Sequence, residues 1–235
     1  MAAAATRPVR DVALTVGVAV MLLLMSRWVD QPLTRALAAN VPHWVDAVFE
    51  EIGDMGDSGG YIVAGLVGYV VSLAGLRSGW ASRLHVALER LARCSVLLLG
   101  TMAIGGLITL ALKKIVSRAR PEELFERGFH GLGVPFSGDP FDSFPSSHTL
   151  TAFAVAAVIR QISPRWGWPA LGAAGVVACS RVINLDHYLS DVSAAAFIGL
   201  MVAHYLAPHV LQEQHRWMFR TPWRWWRRPQ GGTMA

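Results

Sequence analysis

Six stretches of this chain, near 11–29, 59–76, 93–112, 147–164, 168–185 and 191–209, come close to the length and apolarity of a bilayer-spanning helix. Lipid offers the backbone no hydrogen-bond partner, so such stretches must be helices of about 20 residues that satisfy their own amides. The expected fold is therefore an all-α membrane protein with six transmembrane helices. A 53% share of hydrophobic residues and a mean hydropathy of +0.39 agree, being too apolar for a soluble domain. The net charge of +5 does not point to nucleic acid, because the arginines cluster between the apolar runs and no nucleic-acid-binding motif is present. Cys94 and Cys179 both sit inside apolar runs, where they read as small buried hydrophobes and not as a disulfide.

Charge placement orients the bundle. Arg7 and Arg10 precede the first stretch as they would in a signal peptide, but no small-x-small cleavage site follows it, so an uncleaved helix is expected. Alternate connections divide the basic residues 13 to 8, with Arg77, Arg83, Arg90, Arg93, Arg160, Arg165 and the tail arginines on the richer side. The positive-inside rule places both termini in the cytoplasm, as in a bacterial inner-membrane protein. Between the first two spans, residues 31–58 repeat Leu33, Leu37, Val41, Trp44, Val45, Val48 and Ile52 at helical spacing. This predicts an amphipathic helix in the outer interface, ended by the glycines from Gly53 to Gly60. The chain reads as one domain over 1–235, with a basic Trp/Arg tail at 210–235 suited to cytoplasmic headgroups.

Chemistry-bearing residues gather at three span edges, all on the outer side: 113–121, 145–148 and 180–191. Lys113 and Arg120 lie two turns apart if the third helix continues outward, followed by Pro121. Lys114 and Arg118 read as residues that merely orient the chain at the interface. Pro145-Ser146-Ser147 precedes an apolar run, so a serine should cap a helix whose free first amides attract an anion, with His148 beside it. Ser180 and Arg181 fall at the outer end of the fifth span. His187 and Asp191 are four apart, so on a helix the carboxylate can accept the imidazole N–H and fix its tautomer. Three cations, two imidazoles and a carboxylate suit the holding and breaking of a phosphate ester. Zinc could use His148, His187 and Asp191, but the neighbouring cations would repel a divalent metal. A lipid transporter could use the same cations for binding alone, which gives no reason for the His–Asp pair.

The order Lys-x6-Arg-Pro, Pro-Ser-x-His and Ser-Arg-x5-His-x3-Asp resembles the signature of the type 2 phosphatidic acid phosphatase superfamily, over nearly the full length. The resemblance implies a metal-independent phosphatase in which His187 is the nucleophile of a phosphohistidine intermediate and Asp191 orients it. His148 would protonate the leaving oxygen and then activate water. Lys113, Arg120, Arg181, Ser146 and the Ser147 amide would bind the phosphoryl oxygens. Ser147 stands where the family usually has glycine, which narrows the pocket and bears on substrate shape. The expected substrate is a lipid phosphate or diphosphate: undecaprenyl diphosphate, phosphatidylglycerophosphate, phosphatidic acid or a phosphate of lipid A. Transfer of the phosphoryl group to a second lipid is the alternative outcome. Asp186 is assigned no role, Glu122, Glu123 and Glu126 read as a solvated cluster, and the remaining histidines, including His130, as interfacial.

Overall fold

Apolar runs without strand-length alternation leave the backbone only helical solutions, and every extended regular element among the described residues is a helix. The computed structural model describes residues 2–78 and 82–211. The helices are α1 (Ala2–Trp28), α2 (Asp30–Asn40), α3 (His43–Asp54), α4 (Ser58–Ser78), α5 (His85–Val116), α6 (Pro121–Glu126), α7 (Ser147–Ile162), α8 (Pro164–Ile183) and α9 (Leu189–Leu211). The predicted tail from residue 212 onward lies outside the described residues.

Helices α5, α7, α8 and α9 form the centre, with α4 against α5, α3 against α8 and α1 against α9. Small residues allow this closeness: Ala152 and Ala156 of α7 meet Ala174 and Val177 of α8 in one buried cluster. At Gly199 of α9 the backbone of α7 comes so near that a Cβ would stand 3.2 Å from the Ala154 nitrogen and the Leu150 oxygen. The outward faces are apolar instead. Val9, Leu23, Val63, Val70 and Leu107 are each at least 60% exposed, as side chains meant for lipid should be.

Four stretches are long and apolar enough to cross a membrane: Val9–Trp28, His43–Ser78, His85–Val116 and Leu189–Leu211. They contain the expected spans at 59–76, 93–112 and 191–209, and the one at 11–29 but for its last residue. The expected spans at 147–164 and 168–185 are helices, α7 and α8, that do not meet that standard. At 16 residues α7 is about 24 Å long, short of a roughly 30 Å hydrocarbon core. Helices α5, α8 and α9 pack around α7, and Thr149 and Thr151 are buried among them.

The single amphipathic helix expected over 31–58 is two helices. Pro42 forces Val41 into an extended conformation, ψ 118°, and the chain turns there. The glycines do not all end a helix, since Gly59 and Gly60 lie inside α4. Helix α3 packs on α8, where Asn184, just past its C-terminal end, donates to the Asp46 carboxylate at 2.7 Å and to its carbonyl at 2.8 Å.

Candidate active site

All three motif segments converge at one end of the bundle, where α5 ends and α7 and α9 begin. Helix α5 does not continue to Arg120. It stops at Val116 because Ser117 turns left-handed (φ 44°) and its amide caps the Lys113 carbonyl. The chain then runs extended, with the Ala119 amide bonded to Gly131 and that of Arg120 to Pro140. This fold-back brings Lys113 and Arg120 together through Asp142. Lys113 Nζ donates to the Asp142 carbonyl at 2.6 Å and stands 3.5 Å from its carboxylate, while Arg120 Nε donates to the same carboxylate at 2.6 Å. Burial opposes ionisation of Asp142, but the Arg120 hydrogen bond and the charges of Lys113 and Arg120 outweigh it and hold its pKa at about 2.

The second segment folds as the sequence implies. Ser146 is the N-cap of α7 and its hydroxyl accepts from the Thr149 amide at 3.4 Å. Ser147 and His148 then open the helix, where amides have no intrahelical partner and the helix dipole favours an anion. Gly56, between α3 and α4, lies against His148, and a Cβ there would stand 2.8 Å from the His148 Cβ. Gly53 serves Arg181 in the same way, leaving 2.6 Å between a built Cβ and Nη1. These glycines thus permit close approach to the site, a purpose that composition alone does not reveal.

Arg181 ends α8 and pairs with Asp186 at 2.8 Å, so Asp186, without a role in the sequence reading, is the counter-ion of a phosphate-binding candidate. His187 is not helical; it lies in the turn between α8 and α9, 3% exposed. Burial, then the charges of Lys113, Arg120 and Arg181, hold its pKa well below the usual value and keep the ring neutral. The charge of Arg181 also reaches His148, which ties the two imidazoles to one cationic cluster.

The expected hydrogen bond between His187 and Asp191 is absent. Nδ1 is 3.9 Å from the carboxylate, beyond hydrogen-bond reach, and instead donates to the Ser143 carbonyl at 2.8 Å. Because His187 stands outside the helix, the four-residue spacing does not place it on the α9 face. With Nδ1 protonated, the neutral ring carries its lone pair on Nε2.

Sequence reasoning also missed the buried pair Arg118 and Asp30. Arg118, 5% exposed, donates to Asp191 at 2.5 Å, to Asp30 at 2.7 Å and to the Ser190 hydroxyl at 2.6 Å. Its guanidinium lies 4.3 Å above the Tyr188 ring, which His130 meets edge-on at 4.9 Å. Asp30, fully buried, accepts in turn from the Ser190 amide at 3.0 Å and from its hydroxyl. Only the rarity of charge beside an apolar stretch hinted at Arg118, and nothing in the sequence joined it to a residue 88 positions away. Glu123 departs from expectation as well: it is 3% exposed and pairs with Arg127 at 3.0 Å.

Between α4, α5 and α7 an apolar cavity of about 540 Å³ leads to Lys113 and Ser147. Ile62, Leu66, Leu99 and Leu110 line it, and Gly106 leaves part of its wall open.

Residues 95–216, about half of the chain, match the family model described as PAP2 superfamily. The chain belongs to the PAP2 superfamily. Its long apolar helices make it an integral membrane protein. Its relatives include the lipid A 1-phosphatase of Rhizobium johnstonii, 29% identical over 69% of this chain. The match spans 66% of that relative's length, just under two thirds. Among solved structures, the PAP2-type phosphatidylglycerolphosphate phosphatase of Bacillus subtilis aligns with a TM-score of 0.57 at 19% identity, covering 82% of this chain and 94% of its own. LpxE of Aquifex aeolicus aligns at 0.52 and 19%, covering 75% and 93%. At that identity the two structures establish the PAP2 fold and no more.

Proposed function

We propose that this PAP2 enzyme removes a phosphate monoester from a membrane lipid, by way of a phosphohistidine on His187, at the outer face of the membrane. The observation that carries this reading is a neutral, tautomer-fixed imidazole surrounded by Lys113, Arg120 and Arg181. Such a ring is a nucleophile beside a cluster that can neutralise phosphoryl oxygens. His187 Nε2 attacks phosphorus as the bond to the lipid oxygen breaks, and His148 gives that oxygen a proton. Water then attacks the phosphorus, His148 takes up its proton, and the P–N bond breaks to release inorganic phosphate. The amides of Ser147 and His148, with Ser146 holding the helix end, add donors for the phosphoryl oxygens.

The apolar cavity that meets Lys113 and Ser147 gives one hydrocarbon chain of the substrate a place in the protein while its headgroup reaches the cations. Together with the relative named lipid A 1-phosphatase, this favours a phosphate on lipid A over the other candidate lipids. The bundle would cross the membrane six times, with α7 packed among α5, α8 and α9, α8 exposing Trp166, Trp168 and Val176 on its free face, and both termini in the cytoplasm.

The test is phosphate release by purified enzyme from lipid A, phosphatidic acid, phosphatidylglycerophosphate and undecaprenyl diphosphate, with and without EDTA. Lipid A is expected to give the highest kcat/KM, unchanged by chelation. His187→Ala is expected to lose at least about a thousandfold in kcat while remaining folded in the membrane. Release by His187→Ala at the wild-type rate would remove the nucleophile assignment.

A further inference from the structure

Asp191 does not touch His187, yet the site is built around both. Ser143 stands between them and is held at three points. Its amide donates to the Arg118 carbonyl at 3.1 Å, and its hydroxyl donates to Asp191 Oδ2 at 2.6 Å. Its carbonyl accepts the His187 Nδ1 proton at 2.8 Å. The side chain is fully buried, out of reach of bulk solvent. We infer that Ser143 is a positioning residue for the phosphatase reaction, through which Asp191, clamped by Arg118 and Asp30, aims the His187 ring. This inference rests on His187 being the nucleophile.

The remaining contacts explain why the device is stiff. Asp191 Oδ2 also accepts from the Tyr188 amide at 2.9 Å, which fixes the residue next to His187. Oδ1 is taken by Arg118, and Arg118 reaches across to Asp30 at the start of α2. Three hydrogen bonds therefore hold the Asp191 carboxylate in place, 3.9 Å from Nδ1. A carbonyl acceptor orients the ring without placing a full negative charge on it, so Nε2 stays a neutral nucleophile. The carboxylate, 3.9 Å away, still offsets the positive charge that the ring acquires when Nε2 is phosphorylated. Orientation and charge stabilisation are thereby divided between Ser143 and Asp191.

Ser143→Ala keeps the carbonyl but removes the hydroxyl that anchors it. Outer-shell partners that orient metal-bound histidines contribute about 10- to 100-fold, and the same scale is expected of a partner that orients His187. The expected result is a loss of that size in kcat, with KM changed by less than about twofold because no phosphate-binding group is altered. Asp191→Asn and the double variant complete a cycle. If Asp191 acts through Ser143, the double variant loses far less than the product of the two single losses. The ¹⁵N spectrum of labelled His187 gives a readout independent of turnover: a fixed Nδ1–H tautomer in the wild type and a tautomer mixture in Ser143→Ala. Wild-type kcat in Ser143→Ala, or single losses that multiply in the double variant, would overturn the inference. So would an unaltered tautomer in Ser143→Ala. Absence of a phosphohistidine on His187 in the wild type would instead overturn the underlying reaction, which a normal tautomer signature leaves untouched.

Discussion

Asp142 shows how a single side chain can govern a cationic cluster. Its carboxylate occupies the groups that a phosphate would need, Lys113 and Arg120, and with a pKa held at about 2 it stays ionised at any working pH. Asp142→Asn removes that competitor. Partly exposed ion pairs are worth up to about 1 kcal/mol, so inorganic phosphate should inhibit the variant about two- to fivefold more tightly. Weaker inhibition would show that Asp142 orders the cations instead of blocking them. Because its pKa is depressed from 3.8, the stability this pairing contributes is present above about pH 4 and fades as pH falls through about 2. Arg118 bears a different load, since it faces two buried carboxylates, Asp30 and Asp191. Arg118→Met should leave Asp30 and Asp191 without their cation and cost about 3–5 kcal/mol, read from thermal denaturation in detergent. A shift under about 1 kcal/mol would mean that Ser190 and Ser143 suffice to hold both acids.

At the level of elements, the ends of helices decide the site and their middles decide the cavity beside it. Helix α5 supplies both: its last turn carries Lys113, and two turns earlier Gly106 lines the apolar cavity. A Cβ at Gly106 would meet nothing within 4 Å, so a larger side chain can enter the cavity without disturbing the bundle. Gly106→Phe is therefore expected to raise KM at least about tenfold for long-chain lipid phosphates, as a filled pocket does when several methylenes lose their seat. A short-chain, water-soluble phosphate ester should be cleaved at the wild-type rate. Equal effects on both substrates would separate the cavity from chain binding. The six long helices were legible because apolar length is written directly in the sequence, whereas the break between α2 and α3 and the short α6 were not. The junctions were not, since the left-handed Ser117 that ends α5 and the turn that releases His187 from α9 depend on contacts with distant segments.

The whole molecule places its charged residues by end: Arg160 and Arg165 lie opposite the end that holds Lys113, Arg120 and Arg181. That polarity predicts an outward-facing site. With Cys94 and Cys179 replaced by alanine, a cysteine at the exposed Glu122 position should react with a membrane-impermeant maleimide added outside intact spheroplasts. Labelling only after lysis would reverse the orientation. The sequence by itself determined the helical class, the end of the bundle where the chemistry lies and the family, because apolar length, charge asymmetry and motif spacing are local properties. It also placed a serine cap before the 147–164 run, which needs only its own neighbours; the structure makes it Ser146. Tertiary structure alone decided what each charge faces. The clamp of Arg118 between Asp30 and Asp191, the pairing of Lys113 and Arg120 through Asp142, and the interposition of Ser143 before His187 join residues from 22 to 88 positions apart. Their energies come from burial and direct contact, which exist only once the helices have packed.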